Sequence, residues 1–171
     1  MRVISAVLLF AFATLAVAQT NPKSEARIAK EVRHELVMLP LLDVFDNLAF
    51  KVDGYNVTLM GQVTRPTLKT DAERAAKNVE GVEHVDNQIE VLPVSPMDDR
   101  LRVRLFRAIY GYTALQRYAM PVIKPIRLIV KNGHVTLEGV VDSEADKNMA
   151  GIRANSVSGV FSVTNNLRVA K

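Results

Sequence analysis

Apolar and polar positions follow one order along this chain, and that order runs twice. From Ser24 to Val37 and just beyond, Ile28, Val32, Leu36 and Leu39 recur at helical spacing. Glu25, Arg27, Lys30, Glu31, Arg33 and Glu35 fill the other faces. This predicts a helix capped by Ser24 and ended by Pro40. Leu48–Val52 and Val57–Val63 then read as strands, the second alternating Val57, Leu59, Gly61 and Val63 with Thr58, Met60 and Gln62. The turn Asp53-Gly54-Tyr55-Asn56 joins them as a hairpin. Thr70-Asp71-Ala72-Glu73 has the form of a capping box and starts a second helix through Ala75, Ala76 and Val79. Gly81 suits the left-handed position past its end. Val82–Leu92 supplies a third strand, with Val85, Asn87, Ile89 and Val91 on one face.

The second pass repeats the plan. A helix runs from Asp98 to about Tyr112, and a longer connector ends in Pro121 and Pro125. Ile126–Val130 and Val135–Val141 flank Asn132-Gly133, a strong short hairpin signal. Ser143 caps a helix through Ala145, Met149 and Ile152, Gly159 closes it, and Val160–Val169 is the last strand. Val57–Val63 (VTLMGQV) and Val135–Val141 (VTLEGVV) lie 78 positions apart, and the same offset pairs Ala72 with Ala150, Gly81 with Gly159 and Asn87 with Asn165. Self-similarity at a fixed offset means one structural unit used twice. The expectation is an α+β protein of two αββαβ units, each a three-stranded mixed sheet with two helices packed on one face. The units span 19–92 and 98–171. The linker 93–97 is short and stiff, so the units touch.

The order αββαβ, the hairpin core VTLxGxV and the closing pattern of helix, Gly-Val and alternating Val-x-Asn-x-Ile/Leu-x-Val resemble BON domains, found in bacterial osmotically inducible periplasmic proteins and nodulation-related proteins. The resemblance covers about residues 24–92 and 98–169. It implies an envelope location and a non-enzymatic binding role, often at phospholipid surfaces, with a link to envelope or osmotic stress protection. The family's tandem lipoproteins carry a lipid-modified cysteine; this chain has no cysteine at all.

Composition narrows the setting. Arg2, the apolar run Val3–Val17 and the small-x-small motif Ala16-Val17-Ala18 read as a signal peptide, residues 1–18, cleaved after Ala18. The run is short of the ~20 residues that span a bilayer, which weighs against an anchor. The protein is then periplasmic or secreted. Without cysteine there are no disulfides and no thiolate sites, so stability rests on the core. Residues 19–96 carry 9 Lys+Arg against 12 Asp+Glu, a net of −3, whereas residues 97–171 carry 12 against 6, a net of +6. That asymmetry points to an anionic partner for the second unit.

No catalytic constellation is visible. His34, His84 and His134 have no i,i+4 pairing and no acidic cluster beside them, so neither metal nor cofactor is expected. Asp98 and Asp99 read as charges complementing a helix N-terminus. Gly61 and Gly139 read as sites where a helix comes close to the sheet, and Asn87 and Asn165 as partners of a local backbone group or bulge. The order αββαβ also occurs in RNA-binding KH units, but no GxxG clamp lies between helices, and no nucleic acid is expected.

The sharpest functional signal comes from comparing first helices. Aligning Ile28, Val32 and Leu36 with Leu101, Leu105 and Ile109 sets Lys30, Arg33 and Val37 against Val103, Phe106 and Tyr110. The second unit thus has an apolar stripe about half a turn from its core stripe, flanked by Arg100, Arg102, Arg104 and Arg107. Two readings remain open. The stripe packs against the first unit, a protein partner or a second copy, or, as the family resemblance favours and as is expected here, it enters an anionic phospholipid surface with the arginines at phosphates and Phe106 and Tyr110 at the headgroup level. In the second reading Arg117, Tyr118, Lys124 and Arg127 extend the patch.

Overall fold

The computed structural model describes residues 22–170, so the signal-peptide reading lies outside the described residues. In the first unit α1 (Pro22–Val37) precedes the hairpin of β1 (Asn47–Asp53) and β2 (Asn56–Val63). α2 (Pro66–Lys77) crosses over to β3 (His84–Asn87) and β4 (Glu90–Val91). The second unit repeats this with α3 (Pro96–Tyr110), β5 (Ile126–Lys131), β6 (His134–Val141), α4 (Glu144–Asn155), β7 (Ser162–Asn165) and β8 (Arg168–Val169). The central strand of each sheet is antiparallel to its hairpin partner and parallel to the strand after the helix, so both sheets are mixed, as expected. Each helix pair packs together over its sheet, around Ile28, Val32, Leu59 and Leu68 in one unit and Leu105, Ile109, Leu128 and Leu137 in the other.

Several local expectations are corrected. Ser24 sits inside the first turn of α1 rather than before it. α2 begins at Pro66, not at Thr70, because proline at the first helical position has its φ pre-set and no N–H to leave unpaired. α3 likewise begins at Pro96, with Ser95 Oγ accepting from the Asp98 N–H at 3.2 Å. Ser143 caps α4 as expected, its Oγ accepting from the Asp146 N–H at 3.1 Å. A 3-10 helix, Thr113–Ala119, occupies the second connector, where no element was expected.

The last strand of each unit is broken in two by its asparagine. Asn87 Oδ1 accepts the Ile89 N–H at 3.2 Å, which turns the chain, and Asn87 Nδ2 donates to Lys69 O of α2 at 2.9 Å. Asn165 does the same with Leu167 N–H and Lys147 O of α4. Both halves still pair with the central strand, as β2·β4 and β6·β8 show.

The two mid-strand glycines have a different cause from the one expected. Gly61 has φ +111° and Gly139 φ +123°, and a Cβ would stand 2.0 Å from Asn47 O and 1.9 Å from Pro125 O. The close neighbour is the backbone at the start of the hairpin's first strand, not a helix.

The units are joined by more than the linker. Asp46, fully buried, accepts Thr64 N–H and Oγ1–H on one oxygen and Asp43 N–H on the other, which fixes the first connector. The connector then lays Val44, 4 % exposed, into the core of the second unit. Leu128 of β5 donates its N–H to Val44 O at 2.9 Å, Arg127 Nη1 donates to Asp43 O at 2.9 Å, and Lys131 pairs with Glu90.

Substituting Gly139→Ala should destabilise the protein by about 3 kcal/mol or more, since left-handed strain and a backbone clash add together. Urea unfolding would show this as a lowered midpoint, and an unchanged midpoint would contradict the clash.

Candidate functional site

α3 carries the residues singled out in the sequence, and the fold divides them into two groups. At about 100° per residue, Leu101, Leu105 and Ile109 form the core face. Phe106 and Tyr110 follow on one side, and Met97, Arg100, Val103, Arg104 and Arg107 share the outer arc.

The first group is not available to a partner. Tyr110 is 4 % exposed and its hydroxyl donates to Ile126 O at 2.5 Å, with burial pushing its pKa well above the usual tyrosine range. Phe106 is half-buried. It meets Phe45 of the first unit edge-on, with ring centroids 6.5 Å apart, and Tyr110 at 4.9 Å. Arg102 is buried as well, donating to Asp99 Oδ1 at 2.5 Å and Val130 O at 2.8 Å, with its Nε left unpartnered. The expected continuous exposed stripe is therefore absent: the first connector covers its aromatic half, and Arg102 turns inward to a strand carbonyl.

The second group forms an open surface. Met97, Arg100, Val103, Arg104 and Arg107 line a shallow hollow of about 470 Å³. Met97 is 74 % and Val103 45 % exposed. Among the described residues no carboxylate lies within ion-pair distance of Arg100, Arg104 or Arg107. An adjoining hollow of about 380 Å³ shares Met97 and Arg104 and adds Gly133, Gly159 and Phe161. Phe161 is 77 % exposed, its ring resting over Gly133.

The counterpart surface of the first unit differs in charge. Where Arg100 and Arg104 stand on α3, α1 has Arg27 and Glu31, which pair at 3.0 Å, and Glu80 closes on Arg27 as well. Glu35 and His34 line the same hollow. Part of the excess positive charge of the second unit thus lies where the first unit neutralises itself.

Met97 and Phe161 escaped the reading of the sequence. The repeat held a signal for Phe161, which occupies the position of Glu83 in the first unit, an acid exchanged for an aromatic ring. Met97 lay in the stretch assigned to the linker.

The residues expected to extend the patch do not join it. Arg117 pairs with Asp142 and Asp146, and the buried Tyr118 hydroxyl donates to Asp146 Oδ2 at 2.9 Å. Arg127 is held by the first connector, and Lys124 donates to Pro121 O at 2.6 Å. Burial opposes ionisation of Asp146. Ser143, Tyr118 and the Arg117 guanidinium outweigh it and hold the carboxyl below the ordinary aspartate value of 3.8. No described group of His, Cys, Asp and Glu could hold a metal ion, and no described helix is long and apolar enough to cross a membrane.

The sequence profile of the BON domain matches residues 24–93 and 114–171. No curated protein sequence matches the chain. Among solved structures, the C-terminal domain of CdsD, the structural protein of the type III secretion system of Chlamydia trachomatis, is similar at 12 % identity and TM-score 0.31, covering 83 % of this chain and 96 % of that one. A second structure of CdsD is similar at 13 % identity and TM-score 0.29, covering 84 % and 93 %.

Two outcomes follow from these contacts. Phe106→Glu should lower the melting temperature, because it places a charge against Phe45 and Tyr110; an unchanged melting curve would contradict the packing. Asp146→Asn should lower stability at neutral pH. A carboxyl held below its unfolded value stabilises the fold above that value and stops doing so as acid protonates it. The deficit of the variant should therefore shrink as pH falls below 3.8, read from thermal unfolding across pH.

Proposed function

This chain belongs to the BON-domain family, and from that premise we propose that it is a tandem BON protein of the bacterial envelope that attaches peripherally to anionic phospholipid surfaces. The BON domain is a non-enzymatic domain, so the role is one of binding. The attaching surface is the outer arc of α3. Arg100, Arg104 and Arg107 meet lipid phosphates, while Met97, Val103 and the neighbouring Phe161 enter the headgroup level. One observation carries this reading: three arginines lie without carboxylate partners around exposed apolar side chains. A soluble protein has little reason to keep such a combination unneutralised.

The magnitude fits reversible attachment. Each basic residue near an anionic surface contributes about 1 kcal/mol, so three arginines give about 3 kcal/mol, strongly weakened by salt. With residues 1–18 read as a signal peptide, the surface involved lies in the periplasm or outside the cell, and a role in envelope or osmotic stress protection fits that location. Phe106, Tyr110 and Arg102 belong instead to the contact between units and the interior of the second unit, which is the packing reading of the same helix.

Co-sedimentation with phosphatidylglycerol-containing vesicles tests the proposal. The protein should bind these vesicles and not neutral ones, and added salt should release it. The double substitution Arg100→Glu and Arg104→Glu should reduce binding at least tenfold with little change in melting temperature. Equal binding to neutral vesicles, or full binding by the variant, would sink it.

A further inference from the structure

The contact that joins the two units has a vacant counterpart. Val44 and Phe45 of the first connector seat on the second unit. Adding the repeat offset of 78 places Val122 and Ile123 at the same positions of the second connector. Val44 is 4 % exposed; Val122 is 97 % and Ile123 44 % exposed, and Met120 beside them is 84 % exposed. The same apolar device is therefore occupied in one copy and projects into solvent in the other.

The receiving surface is repeated as well. The first connector meets Phe106 of α3, which itself lies against Tyr110, and the outer edge of β5, where the Leu128 N–H donates to Val44 O. The first unit sets Arg33 and Val37 at the matching helix positions, and Leu48 and Phe50 at the strand positions matching Ile126 and Leu128. These four residues line one hollow of about 90 Å³ beside β1, with Arg127 of the second unit at its rim. Phe50 faces Leu59 across the hairpin in the register in which Leu128 faces Leu137, so the Phe50 N–H points outward like that of Leu128. Among the described residues β1 pairs only with β2, and its outer edge receives no backbone hydrogen bond. An edge of this kind is a template for another chain.

We propose that the Pro121–Ile123 tip of one molecule docks on the β1 edge of a second copy, repeating between molecules the contact that Val44 makes within one. The receiving hollow is rimmed by Arg127 and by Arg33, whose guanidinium lies 5.7 Å over the Phe50 ring, so the contact rests on apolar burial and the open strand edge and not on charge. Donor and acceptor are different surfaces, so the contact is heterologous. It builds head-to-tail chains, or pairs when two molecules exchange tips. The site is separate from the outer arc of α3, and self-association does not depend on the lipid reading.

Sedimentation velocity over a range of protein concentrations tests this. The protein should form dimers and larger species as concentration rises. Val122→Asp should remain monomeric with an unchanged circular dichroism spectrum and melting temperature, because this side chain touches nothing in the monomer. The absence of native cysteine allows a direct check. Oxidising a mixture of the Val122→Cys and Phe50→Cys proteins should give a disulfide between those two positions, identified by mass spectrometry. A protein that stays monomeric at every concentration overturns the proposal, as does association undiminished by Val122→Asp. Loss of vesicle binding in Val122→Asp from a monomeric parent would also overturn it and assign the tip to lipid.

Discussion

The seating of Val44 on the second unit determines which surfaces of this protein remain open. A single backbone hydrogen bond from Leu128 and one buried valine would be a minor contact on their own, worth about 2 kcal/mol of apolar burial. Their effect is larger because Asp46 pre-orders the connector: a carboxylate with both oxygens satisfied cannot easily release it. Once the connector is in place, Phe45 covers Phe106, and Phe106 lies against Tyr110. What is left on α3 is the arc of Met97, Val103 and three unneutralised arginines.

Much of this architecture was legible in the residues. The offset of 78 predicted two equivalent units, and the alternation in Val57–Val63 and Val135–Val141 placed the central strands correctly. Positive φ at Gly81 and Gly159 also matched expectation. The helix starts at Pro66 and Pro96 were misread locally, but the misreadings at the glycines and on α3 share a physical origin, in that they depended on a neighbour distant in sequence. Gly61 looks like a packing glycine until Asn47 O is found beside it. Arg102 looks like a surface cation because nothing nearby in sequence reveals the Val130 carbonyl. The aromatic half of the α3 stripe was expected at a lipid headgroup layer, with packing against a protein surface as the alternative, and the position of Phe45 favours the alternative for that half. Periodicity reports which face is apolar, not what meets it.

Duplication followed by divergence explains the distribution of charge. Both units keep the strand-breaking asparagine, the strained glycine and the same hairpin register, and these are requirements of the interior. Their exteriors are free to differ. An Arg–Glu pair on α1 stands where α3 has two arginines, and Glu83 stands where the second unit has Phe161. Such exchanges leave the core unaffected and alter only what the surface attracts.

Asp98 ties the first helix of the second unit to its hairpin. Expected merely to complement a helix terminus, it is buried, and its two oxygens accept the Asn132 and Gly133 N–H groups at 2.8 and 2.9 Å. The first turn of α3 thereby grips a bend 34 and 35 residues downstream. That carboxylate is therefore a fastener between two elements: removing it would leave both N–H groups of the bend without an acceptor and uncouple α3 from the β5–β6 hairpin.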